Sequence, residues 1–118
     1  MFPKSKIDFS LLGATGGATT FYIPVPSRST IKTVQAACSA DPGDGETITV
    51  SKGSTTVGVL TYGTDIAAGA TGVYAADSTG GETIFAAGEV VKVVISQLTA
   101  AATFCGYIEF DEFARTVQ

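Results

Sequence analysis

Histidine and tryptophan are both absent from this 118-residue sequence, which has only two cysteines and one methionine. Without histidine there is no Ser-His-Asp or Cys-His nucleophile pair and no His-ligated metal, and two cysteines are too few for a four-ligand zinc site. Long straight-chain helix formers are scarce, whereas Val, Ile and Thr are abundant. The composition therefore argues against a helical bundle, and we expect no enzyme activity and no cofactor.

Charge is also scarce, at 15% of residues, with seven Lys and Arg against eleven Asp and Glu and a net charge of −4. A negative balance repels a phosphate backbone, so we expect no nucleic-acid partner. The longest strongly apolar stretch, at residues 90–95, contains a lysine and is far shorter than a membrane span of about 20 residues. The first residues lack the unbroken apolar run of a signal peptide. We expect neither export nor membrane association.

Alternating apolar and polar residues predict the strands of this protein, and Gly-, Pro- and Asp-rich turns separate them. No segment has a helical pattern. We therefore predict one all-β domain over residues 19–118, an antiparallel two-sheet sandwich of seven to eight strands with a jelly roll as the favoured topology. The predicted strands are residues 19–26, 30–39, 46–51, 55–62, 82–86, 90–96 and 103–111, with a further short strand conceivable at 72–75.

Alternation also predicts which side chains of a strand share a face, as two of the strands illustrate. In residues 90–96, Val91, Val93 and Ile95 are predicted to point inward from a central strand. In residues 55–62, the side chains of Val57, Val59 and Thr61 are predicted to share one face.

Residues 1–18 precede the first secure strand and combine apolar side chains with lysines before a Gly-rich run. Two interpretations are open. Residues 6–12 form the first strand of the sandwich, or the segment is a tethered arm that packs on a neighbouring subunit, with its lysines complementing an acidic edge such as residues 109–112. The candidate partner-binding residues are Phe2, Lys4, Lys6, Ile7, Phe9, Leu11 and Leu12, together with Tyr74 from the loop described next.

Residues 63–81 are mostly small or polar and predict a long loop, and loops of this length in compact domains are usually functional or disordered. Tyr62 and Tyr74, in or beside this loop, would form a thin platform for a sugar ring.

Three carboxylates, Asp41, Asp44 and Glu46, fall within six residues around a turn. Oxygen ligands this close together are suited to a hard cation such as calcium, but the spacing is not that of an EF-hand, and Asp is also a favoured turn residue. The three carboxylates are therefore weak candidates for metal ligands, and the alternative interpretation is that they belong to an ordinary turn. Cys38 and Cys105 lie in predicted strands, and the sequence leaves open whether they form a disulfide or are free thiols.

The strand rhythm and composition of this chain resemble those of the decoration, or cement, proteins of tailed bacteriophage heads. The resemblance covers about two-thirds of the chain without an invariant motif, and it runs through residues 21–26 (FYIPVP), 45–50 (GETITV), 85–95 (FAAGEVVKVVI) and 106–110 (GYIEF). It implies a virion structural protein, assembled in the host cytoplasm, that binds the capsid exterior as a homo-dimer or homo-trimer and reinforces contacts between major capsid subunits. The alternative is a carbohydrate- or receptor-binding sandwich of a phage fibre.

Overall fold

A computed structural model describes residues 4–113, and all regular elements in that range are strands. No helix among these residues is long and apolar enough to cross a membrane. The strands are β1 (Lys4–Gly13), β2 (Thr19–Pro24), β3 (Ser29–Cys38), β4 (Thr47–Lys52), β5 (Thr55–Thr61), β6 (Val73–Ala76), β7 (Ile84–Phe85), β8 (Val90–Ile95) and β9 (Ala102–Glu112).

The strands form two antiparallel sheets, which confirms the predicted all-β sandwich. The four-stranded sheet has the order β1-β9-β3-β7, and the five-stranded sheet has the order β2-β8-β4-β5-β6. Strand β1 pairs with β9, β2 with β8, and β3 with β7, and β4 pairs with β5 where the chain turns back. This is a long hairpin rolled into two layers, the topology of a jelly roll, with β6 added at one edge.

Residues 4–113 form nine strands, more than the seven to eight predicted, because both uncertain segments pair. The N-terminal segment pairs with β9 from Lys4 to Gly13, and β6 pairs with β5 over four residues. Short runs such as β6, with little apolar alternation, gain strand structure from a neighbouring strand that supplies hydrogen-bond partners.

The core lies between the sheets and is built from alternating side chains. The prediction for β8 is confirmed: Val91, Val93 and Ile95 are fully buried. From the opposite sheet, β9 contributes the buried Phe104, Ile108 and Phe110.

The predicted face of β5 is wrong. The register of β4 and β5 shifts between Val50 and Ser51, so that β5 has one extra residue at Val57. Beyond this bulge Leu60 lies opposite the buried Ile48 and faces the core, whereas Val59 and Thr61 lie on the outer face. Val57 is buried as well, because the bulge turns its side chain toward the core. Strict alternation cannot reveal an extra residue in one of two paired strands.

The long 63–81 segment is folded onto the sandwich and is not a free loop. Its first half covers the edge of β3 that the two-residue β7 leaves open, through hydrogen bonds from Cys38 N–H to the Ala70 carbonyl (3.1 Å) and from Gly69 N–H to the Cys38 carbonyl (2.7 Å). Its second half contains β6 and a turn organised by Asp77. Much of the segment therefore serves to close a sheet edge.

Both cysteines are free thiols. Cys38 is buried on the inner face of the four-stranded sheet, and Cys105, which pairs with Ala37 in the register, is exposed on its outer face. Side chains on opposite faces of one sheet cannot reach each other to form a disulfide.

Candidate interaction surface

The N-terminal candidate residues lie on β1, which is an edge strand of this chain's own sandwich. Leu11 is buried, and Ile7 and Phe9 are half-buried against the same core. Burial against a partner is therefore not needed to explain these three apolar side chains. Leu12 points outward and is 61% exposed, while Phe2 lies outside the described residues.

The acidic complement expected for the N-terminal lysines is the adjacent strand of the same chain. Lys6 is opposite Glu109 in the register, and Lys4 is opposite Asp111. The Lys6 ammonium also lies 4.7 Å from the centre of the Tyr107 ring, in cation–π geometry. The charges of β1 and β9 are thus complementary within one molecule.

The three carboxylates proposed as weak metal ligands are engaged separately. Asp41 accepts a hydrogen bond from the Gly43 N–H within its turn, and Asp44 accepts one from the Asp65 N–H. Glu46 accepts a hydrogen bond from the Ser96 hydroxyl at 2.8 Å. Within residues 4–113, no group of three or more candidate ligands is arranged to hold a metal ion. These contacts favour the turn interpretation.

The tyrosines expected to form a sugar platform are turned inward. Tyr62 is 1% exposed and donates a 2.7 Å hydrogen bond to the Ala36 carbonyl of the opposite sheet. Burial, with a smaller contribution from Cys38, raises the pKa of its phenol well above the ordinary value. Tyr74 is half-buried over Gly58, where any side chain would collide with its ring. Burial raises the pKa of Tyr74 to about 12.

The two outer faces of the sandwich differ in charge. On the outer face of the four-stranded sheet, every second residue points outward, and these residues include Lys6 and Asp8 on β1 and Glu109 and Asp111 on the neighbouring β9. Such a charged face is readily solvated and resists non-specific contact.

The outer face of the five-stranded sheet, here called the neutral face, is nearly without charge. One row of it crosses all five strands through Thr20, Val94, Thr49, Val59 and Ala75. Each side chain of this row is exposed or half-exposed, and among the accessible side chains of the whole neutral face only Lys92 carries a charge. The other accessible positions of the neutral face are Tyr22, Pro24, Thr47, Thr56, Thr61, Val73, Val90 and Lys92.

Sequence reasoning missed the neutral face, although each strand had a signal for it. The alternate residues of β2, β4, β5 and β8 are uncharged, apart from Lys92, on the side away from the core. Only the sheet order brings these residues from distant parts of the chain into one surface. A large uncharged patch of this kind is typical of a protein contact.

A shallow groove of about 430 Å³ lies at the β7 edge of the four-stranded sheet, between β3, β7 and the end of β9. Ile31 and Ile84 provide apolar lining, and Lys32, Glu82 and Asp111 place charges of both signs around it. This mixture lacks a convergent set of polar groups that would select a ligand.

Two exposed carboxylates organise the turns beside this region. The backbone N–H of Gly80 and then the hydroxyl and N–H of Thr79 hold the pKa of Asp77 below its usual value. The Ala86 N–H and Lys52 do the same for the pKa of Glu89, whose carboxylate is 3.0 Å from the Lys52 ammonium.

No protein-family model, curated protein or solved structure matches this chain.

Proposed function

We propose that this chain is a virion structural protein, a decoration protein that binds the outer surface of a phage head and stabilises contacts between major capsid subunits. The neutral face is the observation that supports the proposal. It is a broad sheet surface of threonine, valine and alanine that can exclude water against another protein at little desolvation cost. The charged opposite face would then point to solvent, which suits a protein on the outside of a particle.

The mode of attachment differs from the tethered arm considered from the sequence. Since β1 pairs along its whole length with β9, it is part of the sandwich and cannot extend to a neighbour without unfolding that sheet edge. The neutral face requires no such rearrangement, because its side chains are already exposed or half-exposed.

The structure offers less support for the fibre-type alternative, a sugar-binding sandwich. Tyr62 is buried and Tyr74 is half-buried over Gly58, so neither presents an open ring face in the 63–81 segment. Tyr22 is 63% exposed but lies beside Lys92 on the neutral face and not in a concave pocket.

The test is co-sedimentation of the purified chain with heads of the phage whose genome encodes it, using two matched threonine variants. Thr49 is at the centre of the neutral face and Thr33 is on the outer face of the other sheet, and both are half-buried on interior strands. Thr49→Arg should weaken binding at least tenfold, because it places a charge in the contact. Thr33→Arg should bind like the unaltered chain.

Equal binding by both variants would remove the neutral face from the proposal. If the unaltered chain fails to bind heads, the decoration function itself is wrong, and a specific hit on a glycan array would then favour the fibre alternative. Circular dichroism of both variants checks that each is folded.

A further inference from the structure

The longest open sheet edge in the described part of the molecule belongs to β1. This strand has ten residues, all paired with β9 on one side, and no backbone hydrogen bond from another described residue reaches its other side. The alternate N–H and C=O groups along that side are therefore available to another strand.

The other edges are protected. β2 ends in Pro24 and is followed by Pro26, and proline lacks the N–H that an added strand would need. β6 has four residues and β7 has two. β1 contains no proline and no positive-φ residue, so its edge is straight and regular.

We propose that β1 is a self-association edge, at which a second copy of this chain adds its own β1 antiparallel around a two-fold axis through Ile7. In this register, Lys6 is opposite Asp8 of the second copy, and Asp8 is opposite Lys6 of the second copy. Two ion pairs thus form on the charged face, and Ile7 meets Ile7 of the second copy on the core side.

The charges on β1 select this register over its neighbours. An axis at Lys6 puts two lysines opposite each other, and an axis at Asp8 puts two aspartates opposite each other, which is unfavourable in an antiparallel pair. An axis at Phe9 places Asp8 opposite an uncharged serine. An axis at Lys6 would also put Lys4 opposite Asp8, but the two facing lysines at its centre oppose that attraction. Of these registers, only the axis at Ile7 gives ion pairs without a like-charge pair.

Asp8 also lacks a cation opposite it within its own sheet. Its cross-strand neighbour there is the uncharged Tyr107, whereas Lys6 already faces Glu109. Addition of a second β1 gives Asp8 a lysine on its open side and places Lys6 between two carboxylates. The signs then alternate across the joined sheets.

A two-fold axis perpendicular to the sheet has a consequence for the neutral face. Both copies turn their five-stranded sheets to the same side, so a dimer presents two neutral faces together. This would make binding to a lattice bivalent under the proposed function. The self-association itself does not depend on that function and is measured without any phage head.

The first experiment is sedimentation equilibrium of the full chain in reducing, low-salt buffer over a concentration series. The unaltered chain should approach twice the monomer mass of 12.0 kDa. Lys6→Asp, made together with Glu109→Lys so that β1 and β9 keep opposite charges at this position, and Asp8→Lys should each raise the dimer dissociation constant at least tenfold, because each puts like charges opposite each other across the dimer. The double variant, which carries both β1 changes and Glu109→Lys, restores opposite charges across the dimer and should return the constant to within about threefold of the original.

Lys92→Asp is the control, since it alters the only charge on the neutral face and should leave the dimer unchanged. A monomer at all concentrations for the unaltered chain overturns the proposal. So does a double variant that dissociates as readily as the single variants, or a dimer that only Lys92→Asp disrupts.

The second experiment tests the register by cross-linking in a Cys105→Ser background. Under oxidation, Ile7→Cys should form an intermolecular disulfide, because position 7 is opposite itself at the axis, within the distance a disulfide spans. Phe9→Cys is the control, since it is opposite Ser5 of the second copy and should not cross-link. Cross-linking of Phe9→Cys but not of Ile7→Cys would overturn the proposed register.

Discussion

Tyr62 shows how one residue joins the two layers of this sandwich. It follows β5 in the five-stranded sheet, and its hydroxyl donates to the Ala36 carbonyl of β3 in the other sheet. Its ring packs against Phe104 with centroids 5.3 Å apart. The side chain thus provides apolar packing and satisfies a carbonyl on the part of β3 that β7 does not reach.

Removing that hydroxyl should destabilise the protein. Tyr62→Phe leaves a buried carbonyl without its donor, and we expect a loss of about 1–2 kcal/mol in the free energy of unfolding. Tyr22→Phe is the matched control, because Tyr22 is 63% exposed and its hydroxyl is free to bond water; its effect should stay below about 0.5 kcal/mol. Urea unfolding measures both, and equal effects would show that the Tyr62 hydrogen bond contributes nothing.

At the scale of the elements, β1 is the strand that the sequence left undecided. Ile7, Phe9 and Leu11 alternate as in a half-buried strand, but a detached arm with the same alternation would be equally amphipathic. What decides between these interpretations is β9, a strand almost a hundred residues away along the chain, which offers a matching length and opposite charges. No local pattern contains that information.

Neighbouring leucines on β1 provide a test of its placement. Leu11 is 9% exposed and Leu12 is 61% exposed, although the residues are adjacent and chemically identical. We expect Leu11→Ala to lower the free energy of unfolding by about 2–4 kcal/mol, and Leu12→Ala by less than about 0.5 kcal/mol. If thermal or urea unfolding gave similar losses for the two, β1 would not be docked as the structure has it.

At the scale of the whole molecule, pH dependence follows from the residues that titrate. No histidine is present, so no side chain has an ordinary pKa between about 5 and 8. The pKa values of Asp77 and Glu89 are lowered in the folded state, by backbone N–H groups first and, at Glu89, also by Lys52. A lowered folded pKa means that the stabilisation is complete above the unfolded pKa and is lost as the pH falls through the folded one.

We therefore expect the melting temperature to be flat from about pH 6 to 8 and to fall below about pH 4.5, as these carboxylates take up protons. Asp77→Asn should make the acid side of the profile shallower, because the amide at this position does not titrate. Calorimetry over a pH series is the measurement. A steep change near pH 6.5, or an Asp77→Asn profile with an unchanged acid slope, would contradict this account.

The sequence by itself determined the class of this protein. Scarce helix formers and abundant β-branched residues argued against a helical bundle, and alternation located most strands and the inward face of β8, because those signals are local. Only the tertiary structure decided that the N-terminal segment is a strand of the sandwich, that a bulge re-aims β5, that Tyr62 points inward, and that uncharged residues from five strands meet on one face. The physical reason is that register and sheet order depend on pairing between distant segments, and a surface exists only after that pairing has formed.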